Sequence, residues 1–193
     1  TKSNYNYNQI AILCRTHSQC KKISDLFKKS GIPINPTYPD FFGIPEVRNI
    51  ISWSQLVAGG SLQDSALFRI IRNEMDYEIA NNIFQGFNKK SKAARILLLR
   101  SNESIVKKFP KIDIIIKQLD YFTSLLKKRS VAQLIWEIVK SQVSLIESVK
   151  RYSMDDQFIL LNIGKLLKIS QDFTKRNKKN NSLNSFNLYL EAI

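Results

Sequence analysis

The chain has 193 residues, and its 30 Lys and Arg outnumber 16 Asp and Glu, which gives a formal net charge of +14. Hydrophobic residues make up 44% of the sequence and aromatic residues 10%, so the composition excludes a globally disordered chain and predicts a sizeable core. The surplus of positive charge favours polyanionic partners such as nucleic acid.

Metal centres and membrane spans are not predicted. Cys14 and Cys20 do not have the spacing of a zinc site, and His17 is the single histidine. No apolar run approaches the length of about 18 residues that a membrane helix needs. Residues 1–9 are polar and do not resemble a signal peptide, so we expect a cytoplasmic protein without membrane contact.

The first predicted element is a β-strand at residues 10–14, "IAILC", whose continuous apolar run suits a strand buried on both faces. A helix follows, with apolar residues three and four positions apart from Cys20 to Phe27 and an end at Gly31. Residues 32–43 hold three prolines and Gly43, which predicts extended or turning chain.

The rest of the chain is predicted to be helical. One helix runs from Pro45 to Gly59-Gly60, and Ser61 with Asp64 resembles a capping box that opens the next. Later apolar stripes have helical spacing and predict packed core rather than a cofactor site: Ile115, Leu119, Phe122, Leu126; Val131, Leu134, Ile135, Ile138, Val139; Ile159, Ile163, Leu166, Phe173. The predicted fold is therefore mainly α, with a small partial α/β segment at the N-terminus.

An isolated strand ahead of a helical chain is understandable if its sheet lies elsewhere in a longer protein. The segments "IAILCRTHSQCKKISDLFKKSGIPI" and "DFFGIPEVRNIISWSQLVAGGSLQDSALFRII" closely resemble motif IV and the following stretch of the UvrD/Rep/PcrA superfamily 1 DNA helicases. The matching landmarks are Arg15, Gln19, Ile32-Pro33, Phe41-Phe42 and Phe68-Arg69-Ile70-Ile71. The resemblance continues more weakly to the end of the chain.

The resemblance implies a division into three parts and a fragment cut from a longer helicase. Residues 1–72 would belong to the second RecA-like domain, residues 73–182 to the helical 2B insertion subdomain, and residues 183–193 to the return segment. Arg15 would reach the γ-phosphate of ATP as an arginine finger does, and Gln19 is a weaker ATP-contacting candidate.

No catalytic residue is expected in the fragment alone, because it lacks the phosphate-binding G-x-x-x-x-G-K-[ST] loop and an acidic pair for Mg²⁺. ATP and Mg²⁺ would bind in the full-length parent, with neither expected on the fragment. The parent would move 3′-to-5′ along DNA beside the nucleoid, with single-stranded DNA and duplex junctions as partners. The fragment would be a monomer that contacts the remaining helicase domains of the same chain.

Two features depart from the family pattern. "GIPEVRN" replaces the usual charged segment after the Phe-Phe pair, and "NEMDYEI" replaces the Gly-Ile-Gly turn that grips duplex DNA. Basic clusters remain as candidate nucleic-acid contacts, although a solvated helix surface is the simpler explanation of each cluster taken alone: Lys89, Lys90, Lys92; Lys127, Lys128, Arg129; Lys175, Arg176. Two alternatives stay open, namely a basic all-helical adaptor without ATPase activity and a helicase fused to a nuclease.

Overall fold

The structure is a computed structural model that describes residues 6–14, 17–34, 41–87, 95–142, 154–177 and 181–192. The chain divides into two compact units, Thr1–Gly43 and Ile44–Ile193.

The first unit is built around one helix. A 3₁₀ turn, Tyr7–Gln9, precedes residues 10–14, which form no regular secondary structure. We call residues 10–14 the extended segment, after the extended backbone of Ile10 at its start. Helix α1 spans His17–Lys29. Gly31 has a φ of 69°, and the amide of Ile32 donates to the carbonyl of Phe27 at 3.0 Å. This left-handed glycine after the last turn ends α1 as the sequence predicts. A second 3₁₀ turn covers Phe41–Gly43.

The predicted strand is not formed in this chain. Residues 10–14 form no regular secondary structure and pair with no strand among the residues that the structure describes. The expectation that both faces would be buried is wrong here, because Ile10 is 56% exposed and Leu13 is 95% exposed. A strand needs a hydrogen-bonded neighbour, and the described part of the chain supplies none. The partial α/β segment therefore remains a prediction about a longer protein.

The second unit is helical throughout its described elements. Its helices are α2 (Pro45–Ala58), α3 (Gln63–Glu74), α4 (Tyr77–Gln85), α5 (Arg95–Ser101), α6 (Glu103–Lys108), α7 (Pro110–Leu125), α8 (Val131–Ser141), α9 (Met154–Arg176) and α10 (Leu183–Ala192). The prediction of a mainly α fold is confirmed.

Local sequence explains where several helices begin and end. Pro45 opens α2, and Gly59 and Gly60 end it with φ of 75° and 89°. Ser130 and Gln133 form a complete capping box at the start of α8. Asp76 caps α4 by accepting a hydrogen bond from the amide of Ile79 at 2.7 Å.

The capping box expected at Ser61 and Asp64 is wrong. Helix α3 begins at Gln63 after Leu62, which makes no side-chain cap. The carboxylate of Asp64 instead accepts a hydrogen bond from the backbone amide of Arg95 at 3.0 Å. A tertiary contact thus replaces the local one, since the carboxylate has a charged partner at the start of α5.

The core of the second unit surrounds α2, which packs against α3, α7, α8, α9 and α10. Trp53 on α2 is 1% exposed and meets Phe122 of α7 edge to face, with ring centroids 5.5 Å apart. The predicted stripe on α8 is fully buried, and on α9 Ile163, Leu166 and Phe173 are buried as expected.

Helix α10, at the C-terminal end of the described chain, packs against α2, the first helix of the second unit. The hydroxyl of Ser54 donates to Oδ1 of Asn187, and both side chains are buried. Residues 133 positions apart therefore meet in the core. The three-part division at residues 72 and 182 concerns domains of a parent protein, and it stays a prediction beside the compact units observed here.

Among the described helices, none combines the length and apolar character needed to cross a membrane.

Candidate nucleotide and nucleic-acid contact sites

The two residues predicted to contact ATP belong to the first unit. Arg15 lies outside the described residues, between Cys14 and the start of α1 at His17. Gln19 lies in the first turn of α1 with an exposed side chain. Its place one turn into the helix is compatible with a contact to a ligand beside the end of the extended segment, but its role remains a prediction.

An apolar groove follows the extended segment. It has a volume of about 760 Å³ and is lined by Tyr7, residues 10–12, Cys14, one face of α1 and residues 32–34. Ile10, Ile12 and Leu13 expose large apolar side chains along the same segment. Clustered apolar exposure of this kind is typical of protein–protein contact surfaces and of ligand-binding grooves.

The two cysteines of this unit are free thiols that lie next to each other. A hydrogen bond with Cys20 raises the pKa of the Cys14 thiol, and partial desolvation and the charge of Cys20 act in the same direction. Cys14 therefore carries less thiolate at neutral pH than an ordinary cysteine. The pair resembles no metal site, and no group of three or more His, Cys, Asp or Glu in the described residues could hold a metal ion.

Two of the predicted basic clusters lie at the same end of the second unit. The amide of Ala132, at the start of α8, donates to Oγ1 of Thr174, at the end of α9, over 3.2 Å. This contact joins the first turn of α8, which directly follows the first cluster, to the last turn of α9. We call the exposed cations of these two segments the basic end: Lys127, Lys128, Arg129, Lys175 and Arg176.

The basic end is a better candidate than either cluster alone. Cations in the last turn of a helix such as α9 are common, because they interact favourably with the helix dipole. The tertiary contact adds three more cations from another segment, which the sequence does not reveal. Lys89, Lys90 and Lys92, the third predicted cluster, lie outside the described residues.

A second cationic surface surrounds a pocket of about 380 Å³ on α3. We call it the arginine pocket, and its lining residues are Asp64, Ser65, Phe68, Arg69, Arg72, Phe84 and Arg95. The guanidinium of Arg95 lies 5.6 Å from the ring centroid of Phe84, and its Nε is 3.9 Å from Oδ2 of Asp64. Arg95 thus forms a wall of the pocket, because a carboxylate and an aromatic face both hold it.

The other arginines near this pocket have no such partner. Within the described part of the chain, Arg48, Arg69 and Arg72 form no ion pair. Partial burial lowers the pKa of Arg69, and the positive charges of Arg48 and Arg72 lower it further. The guanidinium group of Arg69 therefore lies close enough to those of Arg48 and Arg72 to be repelled by both.

Sequence reasoning missed this cluster. Arg69 and Arg72 are three residues apart on one helix, and that spacing is a visible signal. Arg48 and Arg95 are more than 20 positions away on either side, so only the packing of α2, α3 and α5 brings them near. Arg69 is a landmark of the resemblance described above, yet its sequence position alone did not mark it as a binding residue.

Comparison with known proteins agrees with the resemblance. The profile of the UvrD-like helicase C-terminal domain matches residues 1–192. An ATP-dependent helicase/nuclease subunit of Pediococcus pentosaceus is 29% identical over 143 residues, which cover 68% of this chain and 12% of that protein. The chain thus spans a small part of the relative's length. With a family profile that covers nearly every residue, the chain belongs to the UvrD-like helicase C-terminal domain family.

Proposed function

We propose that this chain is part of an ATP-dependent DNA helicase that moves 3′-to-5′, contributing a segment of the second motor domain and the 2B subdomain. The family match over residues 1–192 is the observation that carries the proposal. On this proposal, DNA, ATP and Mg²⁺ are ligands of the whole helicase, which works in the cytoplasm with the nucleoid. The chain contributes to their binding but does not hydrolyse ATP alone.

The exposed extended segment supports the motor assignment. Residues 10–14 carry apolar side chains on a backbone that has no strand partner in the described residues. A sheet from the remainder of the helicase would pair with this backbone and cover the apolar groove. Ligands of open α/β sheets bind beyond the carboxyl ends of the strands, which is where Arg15 follows Cys14 in sequence.

Arg15 would then act on the γ-phosphate of ATP. A guanidinium group is always charged and matches phosphate oxygens with two parallel hydrogen bonds. Such a group stabilises the charge that spreads over the transferred phosphoryl group in the transition state. Gln19, one turn into α1, would help to position the nucleotide.

The test is Arg15→Ala in the complete helicase. An arginine finger contributes about 10³-fold to 10⁵-fold to the rate of phosphoryl transfer, so kcat for ATP hydrolysis should fall by at least that lower figure. DNA affinity in the absence of nucleotide should change little. Lys22→Gln, which removes a charge from an exposed position of α1, serves as the control. ATP turnover by Arg15→Ala at the control's rate would refute the role.

A helicase–nuclease is the second candidate for the whole protein, since the relative from Pediococcus pentosaceus bears that name. The two candidates share the motor and differ in whether a nuclease domain is present. Incubating the complete protein with a labelled duplex, ATP and Mg²⁺ distinguishes them, because a nuclease shortens the strands that a simple helicase only separates.

A further inference from the structure

Among the described residues of the second unit, no carboxylate forms an ion pair with Arg48, Arg69 or Arg72. The positive charges of Arg48 and Arg72 both act on Arg69, while the one acidic residue among the described residues that line the pocket, Asp64, is already engaged by Arg95. Like charges at short range destabilise each other, more so where partial burial lowers the effective dielectric constant. A bound anion would remove this repulsion.

The geometry of the pocket indicates which anion. Arg69 and Arg72 line the same cavity of about 380 Å³, so their forked donor groups can converge on one ligand. Phe68 and Phe84 also line it, with ring centroids 5.1 Å apart. A nucleotide of a nucleic-acid strand carries a phosphate and an aromatic base. Arginines beside an apolar aromatic wall match these two parts.

We propose that the arginine pocket binds a phosphodiester of the DNA backbone, with Arg69 and Arg72 as its ligands and Arg48 adding positive potential beside them. Arg95 stays with Asp64 and Phe84 and shapes the wall. The inference rests on the proposed function for its choice of DNA as the polyanion. It goes beyond that function by placing a DNA contact on α3, next in sequence to "NEMDYEI", the segment that replaces the family's Gly-Ile-Gly turn.

The competing occupant is a carboxylate from another part of the helicase, which a guanidinium group binds with the same fork. The net charge of +14 makes such a partner scarce within this chain. Salt dependence separates the two occupants. Each lost phosphate contact reduces the slope of log K against log salt by about 0.7 for single strands and about 0.9 for duplex DNA.

The experiment measures fluorescence anisotropy of a labelled single strand of 20 thymidines and a labelled 20-base-pair duplex, titrated with the chain at several salt concentrations. The variants are Arg72→Gln and Arg69→Gln/Arg72→Gln. Arg72 is exposed, so its replacement should leave the fold intact, and thermal unfolding of each variant verifies this. Lys168→Gln, which removes one charge from an exposed position on α9, is the matched control.

We expect Arg72→Gln to weaken binding and to reduce the slope by about one phosphate contact, the double variant by about two, and the control by none. A reduction confined to one oligonucleotide shows whether that phosphate belongs to a single strand or to duplex DNA. If the slopes of the two arginine variants equal that of Lys168→Gln, the pocket does not bind a DNA phosphate. The argument for a phosphate rather than a carboxylate then fails as well. If Lys127→Gln/Lys128→Gln still reduces the slope, DNA binding by the chain stands without the pocket. If the unmodified chain binds neither oligonucleotide at low salt, the pocket proposal fails, whereas the helicase proposal is decided by ATP turnover of Arg15→Ala in the complete protein.

Discussion

A buried hydrogen bond between Ser54 and Asn187 links α2 to α10. Its loss should measurably lower the free energy of unfolding. Ser54 is completely buried and Asn187 is 5% exposed, so neither polar group can turn to solvent. Ser54→Ala leaves the Asn187 oxygen without its donor, which costs about 1 to 3 kcal/mol. For a unit of this size, a loss of about 2 kcal/mol corresponds to a fall in Tm of about 4 to 8 °C.

A double-mutant cycle isolates the bond itself. Asn187→Ala should also destabilise the unit, because it strands the Ser54 hydroxyl and opens a small cavity. The double variant should lose less than the sum of the single losses, by about 1 to 2 kcal/mol, since no unpaired group then remains. Ser104→Ala, at an exposed position of α6, should change stability by less than about 0.5 kcal/mol.

Urea unfolding followed by tryptophan fluorescence is a suitable assay. The chain has two tryptophans, and Trp53 lies buried one residue before Ser54, whereas Trp136 is 49% exposed. Trp136→Phe as the background therefore leaves a reporter inside α2. Equal m-values across the cycle make the midpoints comparable. Additive losses would mean that the two side chains do not interact, and the packing of α10 on α2 would have to be reconsidered.

Two further predictions concern titrating groups. Cys20→Ala removes the hydrogen bond that raises the pKa of Cys14, so alkylation of Cys14 by iodoacetamide at pH 8 should become faster, with the rate at an unfolded peptide as reference; an unchanged rate would contradict the contact. The pKa of Glu137 is lowered by its hydrogen bond from Lys140, against a smaller opposing effect of desolvation. Ionised Glu137 therefore contributes at most about 1 kcal/mol to the free energy of unfolding. This contribution is fully present above the ordinary pKa of 4.5 and is lost as the pH falls through the lower pKa of the folded state. Glu137→Gln should therefore flatten the acid limb of a Tm-versus-pH curve.

Sequence periodicity predicted most of the helical core, because the apolar stripes are buried against neighbours within this chain, except that Leu126 and Ile159 are only half-buried. Every residue of the predicted α8 stripe is buried, from Val131 to Val139. Terminating glycines were equally predictable, since Gly31 and Gly59 adopt the positive φ that other residues avoid. These features depend on local chemistry and on the average behaviour of apolar side chains.

The features that the sequence did not predict depend on contacts between residues that are far apart in the chain. Asp64 had a local role available as part of a capping box, but the amide and guanidinium of Arg95 proved to be its partners. The basic end required the contact between Ala132 and Thr174 to bring two separate clusters together. Side chains of opposite or equal charge that lie far apart in sequence give no periodic signal, so neither the pocket nor the basic end could be derived from spacing.

The extended segment and the arginine pocket share one physical property. Leu13 is almost entirely exposed on a backbone with no strand partner in the described residues, and Arg69 and Arg72 face other cations with no carboxylate partner there. The free-energy cost of the exposed apolar side chains falls when a sheet or another apolar surface packs on them. The repulsion between guanidinium groups falls when an anion binds between them. On the two proposals above, the two surfaces bind partners of opposite chemistry. A helicase that places this chain between a motor sheet and a DNA backbone would supply both, which is why a loss of salt dependence at Arg72 and a loss of ATP turnover at Arg15 should be separable in the complete protein.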